Sequence, residues 1–443
     1  MLKTENNAAI ISENQYLTGF FLTEKERKIY NKWRIRILLS VILGYATFYL
    51  CRQNFSMIMP AFMEEFGYTK TELGVVLTVA SVIYGIGKFI NGYFSDKSNS
   101  RYFMPIGLFC SGVTTFFLGF SESLIFLSIL WVINNWFQSM GWPPVARMLT
   151  HWFAPKELGT KWAYGATSHQ VGGAITLVFT GYLVADFGWR TAFFIPAIIA
   201  IIVAYILFNR LRESPKELGF PPVELYKAQE TNKEDKEEDN LTTAEIIKKV
   251  FFNINMWYIC LANMCLYIVR LGVIFWAPLF LKEFKNMAID KAGWHVAAYE
   301  LAGLLGGVSA GWISDKIFHG QRGPVGMVFM LSLAFTLWIF WQLPPEYVIL
   351  NGLMMILMGC FVYGPQILAG VASADFASKK AIGTANGLVG TMGYVGSGIS
   401  GVCVGIISDN WGWSAVFMFF IISALLGGLF FYLTWERKHN IAN

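Results

Sequence analysis

Charge is what this sequence has least of. Only 14% of its 443 residues are Asp, Glu, Lys or Arg, against roughly 25% in soluble domains. That shortage excludes an ordinary water-solvated surface, and a 55% hydrophobic content points to lipid as the main solvent. The first 33 residues contain no short apolar core followed by a small-residue cleavage site, so no removable signal peptide is expected. Cysteine is sparse and unpatterned. Cys51, Cys110, Cys260, Cys265, Cys360 and Cys403 all fall in apolar stretches without a Cys-x-x-Cys pair, which marks them as packing residues and not disulfides or metal ligands. His151, His295, His319 and His439 are dispersed, and no Gly-x-x-x-x-Gly-Lys-Ser/Thr loop is present. Catalytic residues, metal, cofactor and nucleotide-driven work are therefore not expected, and any transport must draw on solute gradients.

What the sequence does have is long apolar runs. A bilayer crossing by a helix takes about 20 apolar residues. Twelve such stretches occur, at roughly 36–60, 73–95, 102–120, 123–146, 160–184, 190–208, 254–280, 292–314, 325–343, 347–371, 384–407 and 412–434. The longest polar stretch, 209–250, carries the charge run 233–239 and divides them six and six. The expected plan is an all-α membrane protein of twelve transmembrane helices in two pseudo-symmetric bundles, at 34–208 and 251–436. A terminal segment (1–33), a linker (209–250) and a tail (437–443) would all be cytoplasmic. The net charge of +5 does not form a nucleic-acid patch: 26 of the 34 Lys and Arg fall on that one side and 5 on the other, which is the cytoplasmic bias of membrane loops.

The halves repeat. At an offset of 218, Tyr49, Arg52, Pro60, Phe62 and Glu65 meet Tyr267, Arg270, Pro278, Phe280 and Glu283. One residue later Gly92-Tyr-Phe-Ser-Asp96-Lys97 meets Gly311-Trp-Ile-Ser-Asp315-Lys316, and at 224 Val171-Gly172, Gly188 and Trp189 meet Val395-Gly396, Gly412 and Trp413. An even number of crossings per half makes this a parallel duplication, with its axis along the membrane normal. The glycine-dense faces predict close helix contact.

Three cations lie inside apolar stretches: Arg52, Lys88 and Arg270. A guanidinium at such depth costs at least about 2.5 kcal/mol on insertion scales and normally faces a cavity and a partner. The duplication sets Arg52 and Arg270 on opposite sides of one axis, where two planar forks suit the oxygens of a phosphate. Glu300 is a carboxylate available to pair with one of them, but it cannot neutralise all three. Lys88 also has the alternative of snorkelling toward the interface near Asp96. His169, mid-stretch among small residues, is either a hydrogen-bonded packing residue or a group that responds to bound phosphate. Tyr45, Tyr49 and Tyr267 precede the arginines by helical spacings that place them on the same face.

The segment Asn135-Trp-Phe-Gln138-Ser-Met-Gly141-Trp142-Pro143-Pro144-Val-Ala-Arg147 closely resembles the fourth-crossing signature of the organophosphate:phosphate antiporters, a branch of the major facilitator superfamily. Arg52-Gln-Asn-Phe55, Ser95-Asp96-Lys-Ser-Asn-Ser-Arg101, Tyr267-Ile-Val-Arg270, Tyr363-Gly364-Pro365 and Ser214-Pro215-Lys-Glu-Leu-Gly219 strengthen the resemblance, which covers about residues 30–438. It implies exchange of a sugar phosphate or glycerol 3-phosphate against inorganic phosphate by alternating access, in a bacterial inner membrane, by a monomer. It also implies substrate-binding roles for Arg52 and Arg270, for Lys88, His169, Gln138 and Trp142, and for Tyr45, Tyr49, Tyr84, Tyr267, Tyr363 and Tyr394. Asp96, Arg101, Arg147, Asp315 and Glu300 are the expected gating residues. Glycerol 3-phosphate members carry lysine after the first arginine and aspartate five after the second. Gln53 and Phe275 stand there instead, and the 101–104 and 142–150 stretches look closer to the hexose-phosphate branch. Hexose phosphate is therefore the favoured substrate. A transporter-like sensor of sugar phosphate and a proton-coupled symporter titrating Glu300 are the rival expectations.

Overall fold

The computed structural model describes residues 23–223, 250–377 and 381–435. The charge run 233–239 and His439 lie outside them. Among the described residues every regular element is a helix. In the first half these are α1 (Glu24–Leu50), α2 (Asn54–Phe66), α3 (Lys70–Lys97), α4 (Ser100–Leu118), α5 (Leu124–Gln138), α6 (Trp142–Trp152), α7 (Pro155–Phe187) and α8 (Thr191–Arg210). The second half has α9 (Ile254–Glu283), α10 (Ile289–Lys316), α11 (Arg322–Gln342), α12 (Val348–Asp375) and α13 (Ile382–Tyr432).

All twelve apolar stretches fall on these helices, with two adjustments. The first crossing is α1 plus α2, interrupted at 51–53, and the fourth is α5 plus α6, interrupted at 139–141. In α13 the left-handed backbone of Gly412 (φ 75°) separates two limbs, so one 51-residue helix supplies two crossings. Among the described residues ten helical segments meet the length and apolarity of a membrane crossing; the 19-residue α4 and the second limb of α13 hold the other two apolar stretches.

Helix ends follow local chemistry. Thr69 and Glu72 form a capping box that opens α3. Gly188 after α7 (φ 82°) is the repeat-mate of Gly412, and both take a conformation that side chains resist. Each places a tryptophan on a glutamate of its own half. The indole of Trp189 donates to Glu65 at 2.5 Å and that of Trp413 to Glu283 at 2.8 Å. The duplicated glutamates then diverge, because Glu65 pairs with Arg190 of its own half (3.0 Å) while Glu283 pairs with Lys70 of the other (2.9 Å).

That pair lies at the end of the helices away from the chain termini, here called the distal face. More contacts join the halves there. Lys282 pairs with Glu64 at 2.5 Å. The carboxylate of Asp409 accepts from the backbone N–H and hydroxyl of Thr71, each at 2.7 Å, at the N-terminus of α3, where helix N–H groups are otherwise unpaired. Thr78 donates to the Gly398 carbonyl (2.7 Å), and Ser81 meets Ser397 at 3.0 Å. Of the glycine faces expected from the sequence, Gly172 and Gly396 pack inside their own halves, on Ala46 and Met264, while Gly401 on α13 takes part in this closure. A Cβ on Gly74 would stand 2.5 Å from the Gly401 carbonyl oxygen, and one on Gly405 would strike the backbone of Lys70. Toward the opposite, terminal face the same helices diverge: Gly92, Gly159, Gly383 and Gly387 have nothing within 4 Å of a built Cβ.

At the terminal face the expected gating residues make contacts inside their own halves. Arg147 donates to the carbonyls of Ser95 and Asp96 (2.6 and 2.5 Å) and pairs with Glu213 at 2.8 Å. Asp315 pairs with Arg322, which also reaches Asp375 at 3.3 Å. Arg101 lies 5.0 Å over the ring of Tyr102. Glu213, Arg322 and Asp375 carried no sequence signal, because their partners lie on separate elements.

Overpacking a tight contact usually costs about 1–3 kcal/mol, and where it is spent can be read out. Gly74→Ala should hinder distal closure, read as a longer spin-label distance between the distal ends of α3 and α13, while the purified protein keeps its melting temperature. Gly306→Ala, whose Cβ would strike the Cys360 backbone inside the second half, should lower the melting temperature itself.

A cationic cavity between the halves

Between the halves, on the terminal side of the distal contacts, lies a cavity of about 310 Å³. It is lined from the first half by Tyr45, Tyr49, Arg52, Gln53, Tyr84, Lys88, Trp142, Ala166 and His169. The second half contributes Tyr267, Arg270, Leu271, Ile274, Phe275, Gln366 and Tyr394. Ten of the twelve residues expected to bind substrate are thus brought to one wall or another, and the three cations of the apolar stretches, Arg52, Lys88 and Arg270, are among them.

Each cation lies on aromatic faces. The Arg52 guanidinium is 4.1 Å from the centre of the Tyr84 ring, and Arg270 is 4.6 Å from Tyr363 and 5.4 Å from Tyr267. The Lys88 ammonium stands 5.2 Å from the Tyr394 ring, so it points inward and does not snorkel. Cation–π contacts of this kind contribute about 0.5–2 kcal/mol each without neutralising the charge. Tyr84 and Tyr394, from opposite halves, meet at 5.0 Å between centroids and close the box.

Among the described residues no carboxylate lies within ion-pair distance of Arg52, Lys88 or Arg270. Glu300 is the nearest candidate and is otherwise engaged. One of its oxygens accepts the Tyr363 hydroxyl at 2.5 Å and the other the Gln53 amide at 2.9 Å, a bond that crosses between the halves. Tyr363 in turn accepts from Arg270 at 3.2 Å, so carboxylate and guanidinium communicate through a phenol. Arg270 Nε is buried with no hydrogen-bond partner. The cavity therefore holds a net positive charge with donors to spare.

His169 packs between Tyr45 (4.6 Å) and Trp142 (4.8 Å). Its Nδ1 lies 2.7 Å from the Ala166 carbonyl, which requires a proton on Nδ1 and makes Nε2 of the neutral ring an acceptor.

Two expected residues are not on the wall. Tyr363 stands behind Arg270, and Gln138 is turned away, donating to Ser111 at 2.7 Å in the interior of the first half. Gln366 was not anticipated. It lies 3.5 Å from the Tyr267 hydroxyl, and its one available signal is a position three residues after Tyr363 on the same helix.

The Major Facilitator Superfamily model matches residues 41–401 and 355–443. The chain is 40% identical to a "Probable hexose phosphate transport protein" of Chlamydia pneumoniae, covering 93% of each. It is 38% identical to a "Glycerol-3-phosphate transporter" of Bacillus subtilis, over 92% of this chain and 93% of that one. It is also 35% identical to the "Membrane sensor protein UhpC" of Escherichia coli, over 90% and 92%. Its fold resembles a bacterial homologue of the human lysosomal transporter Spinster in an inward-facing, unoccupied conformation, with a TM-score of 0.71, 15% identity, and coverage of 91% and 97%. The chain is not an enzyme: its two helical bundles and the similarity along nine-tenths of its length make it a multi-pass membrane protein of the major facilitator superfamily, in the organophosphate:phosphate antiporter family.

Proposed function

We propose that this protein exchanges an organic phosphate ester, hexose phosphate by preference and glycerol 3-phosphate next, for inorganic phosphate by alternating access. The observation that carries the reading is the charge of the cavity. Two guanidiniums, one from each half, face it with Lys88 and without a carboxylate partner. A phosphate dianion supplies the missing charge, and its tetrahedral oxygens can accept from both forks at once. Empty, the facing cations resist approach of the halves at the terminal face. Occupied, the phosphate bridges them, so reorientation requires a ligand and the result is exchange. Closing around phosphate at the terminal face would release the Gln53–Glu300 bond and the distal ion pairs, which is the gating role assigned to Glu300. The terminal face is cytoplasmic in this reading, as the loop charges require, and one chain supplies the whole site.

The ester preference rests on the wall near the arginines. Gln53 and Phe275 give a neutral amide and an apolar ring where a lysine and an aspartate stand in glycerol 3-phosphate members. With its proton on Nδ1, His169 presents Nε2 as an acceptor for a hydrogen bond from a singly protonated phosphate or a sugar hydroxyl.

A sensor that binds sugar phosphate without moving it is the second reading, favoured by the similarity to the Escherichia coli membrane sensor. Counterflow separates the two. Phosphate-loaded proteoliposomes should take up labelled phosphate, with glucose 6-phosphate competing better than glycerol 3-phosphate or phosphoenolpyruvate; binding without counterflow would favour the sensor.

Lysine keeps the charge of arginine but not its fork, and a hydrogen bond to a charged group is worth about 1.5–3 kcal/mol. Arg52→Lys or Arg270→Lys should therefore cut phosphate exchange by about a hundredfold in protein that still purifies as a folded monodisperse species. Near-normal exchange in both variants would remove the bridging model.

A further inference from the structure

The two repeat-related arginines stand on different backbones. Arg270 lies inside the continuous helix α9. Arg52 lies in the interruption between α1 and α2, where its own N–H and that of Gln53 both reach back to the Tyr49 carbonyl at 3.0 Å. A broken helix leaves carbonyls in want of donors and frees the dihedral angles of the residues in the break. Something must set them if the Arg52 fork is to face the cavity reproducibly.

That something is a directed chain of buried amides. Asn134 of α5 donates to the carbonyl of Cys51, the residue immediately before Arg52, at 2.8 Å. The Asn134 oxygen accepts the Ser111 hydroxyl of α4 at 2.6 Å, and the Ser111 oxygen accepts the Gln138 amide of α5 at 2.7 Å. Every donor points the same way, from Gln138 through Ser111 and Asn134 to the backbone at Arg52. Asn134 and Ser111 are 0% exposed and Gln138 is 2% exposed, so none of these bonds is shared with solvent. Turning the Asn134 amide over would break its bonds to Cys51 and Ser111, and a longer one accepted from Thr114 at 3.4 Å, and leave buried groups unpaired, which fixes its orientation. The other end of the break is held separately, by Asn54 donating to the Ala192 carbonyl at 3.0 Å.

We propose that Asn134, Ser111 and Gln138 form a positioning relay for Arg52, and that Gln138 influences the transported anion through this relay without touching it. The proposal rests on the reading of Arg52 as a phosphate ligand. It makes a distinctive demand. Because Arg52 meets the phosphoryl group common to both ligands, damage to the relay must weaken inorganic phosphate and phosphate ester by the same factor. A residue that touched the organic part would discriminate between them.

The test is exchange in proteoliposomes of the full chain, using inorganic phosphate and glucose 6-phosphate as probes, with Ser111→Ala, Gln138→Leu, their double variant and Asn134→Leu. Each single change should raise the half-saturating concentration of both anions equally, by about three- to tenfold for one lost internal hydrogen bond. The loss should fall on that concentration and not on the maximal rate per folded molecule. The double variant should be no worse than the weaker single, since both act through one path. Ser111→Ala removes one oxygen and keeps the test open should Asn134→Leu fail to fold. A selective loss of glucose 6-phosphate in Gln138→Leu, or single effects that multiply in the double variant, would overturn the relay. Wild-type protein that neither exchanges nor binds phosphate would overturn the anion-site reading instead, and would do so before any substitution is made.

Discussion

Among the described residues no carboxylate forms an ion pair with Arg52 or Arg270, two guanidiniums deep in apolar stretches. Most of the architecture answers that constraint. Arg52 and Arg270 are laid on tyrosine faces, and the phenol of Tyr363 holds Arg270 while itself held by Glu300. Two such groups facing one another must be separated by polar space, and the cavity between the halves provides it. Glu300 could have neutralised one arginine directly. It instead accepts from Gln53 and Tyr363, which ties the carboxylate to the contact between the halves.

The closure is built from parts that are individually weak. Lipid gives helices no hydrophobic reason to associate, so close approach depends on glycine pairs such as Gly74 and Gly401, supplemented by hydroxyl bonds near mid-depth. The distal ion pairs are partly exposed, and pairs of that kind contribute about 0–1 kcal/mol each. Strong packing would have fixed the two halves in one arrangement. Under the proposed exchange, many small contributions, each replaceable by water, hold one face shut while leaving the alternative face within reach of the energy that a bound dianion can supply.

The outline of this arrangement was legible in the sequence because apolar length and internal repetition are properties of composition and order alone. The crossings, the duplication and the pairing of Arg52 with Arg270 follow from them. The interruption at 51–53 does not. Leu50-Cys-Arg-Gln-Asn54 contains neither glycine nor proline, and the break is stabilised by Asn134 and Ala192, partners distant in the chain. For the same reason Gln138, whose motif suggested a substrate contact, faces inward toward Ser111. Periodicity tells which helix a residue occupies but not which way a polar side chain turns when donors compete for it. The distal pairs Lys70–Glu283 and Lys282–Glu64 were equally hidden, since nothing in a charge pattern specifies which loop will meet which.

The duplicated turns of the two halves carry an asymmetric catch. Gly188-Trp189 and Gly412-Trp413 keep the same left-handed turn and the same indole-to-glutamate bond, so the local geometry survived in both copies. What changed is the cation. Arg190 follows its tryptophan and satisfies Glu65 within the first half, whereas Ser414 follows Trp413 and leaves Glu283 to be satisfied by Lys70. A lysine held also by the Trp413 ring, at 5.4 Å, then joins the halves where an arginine in sequence would have kept the charge at home. Like turns thus carry an internal brace in one copy and, in the other, a contact that joins the halves at the distal face.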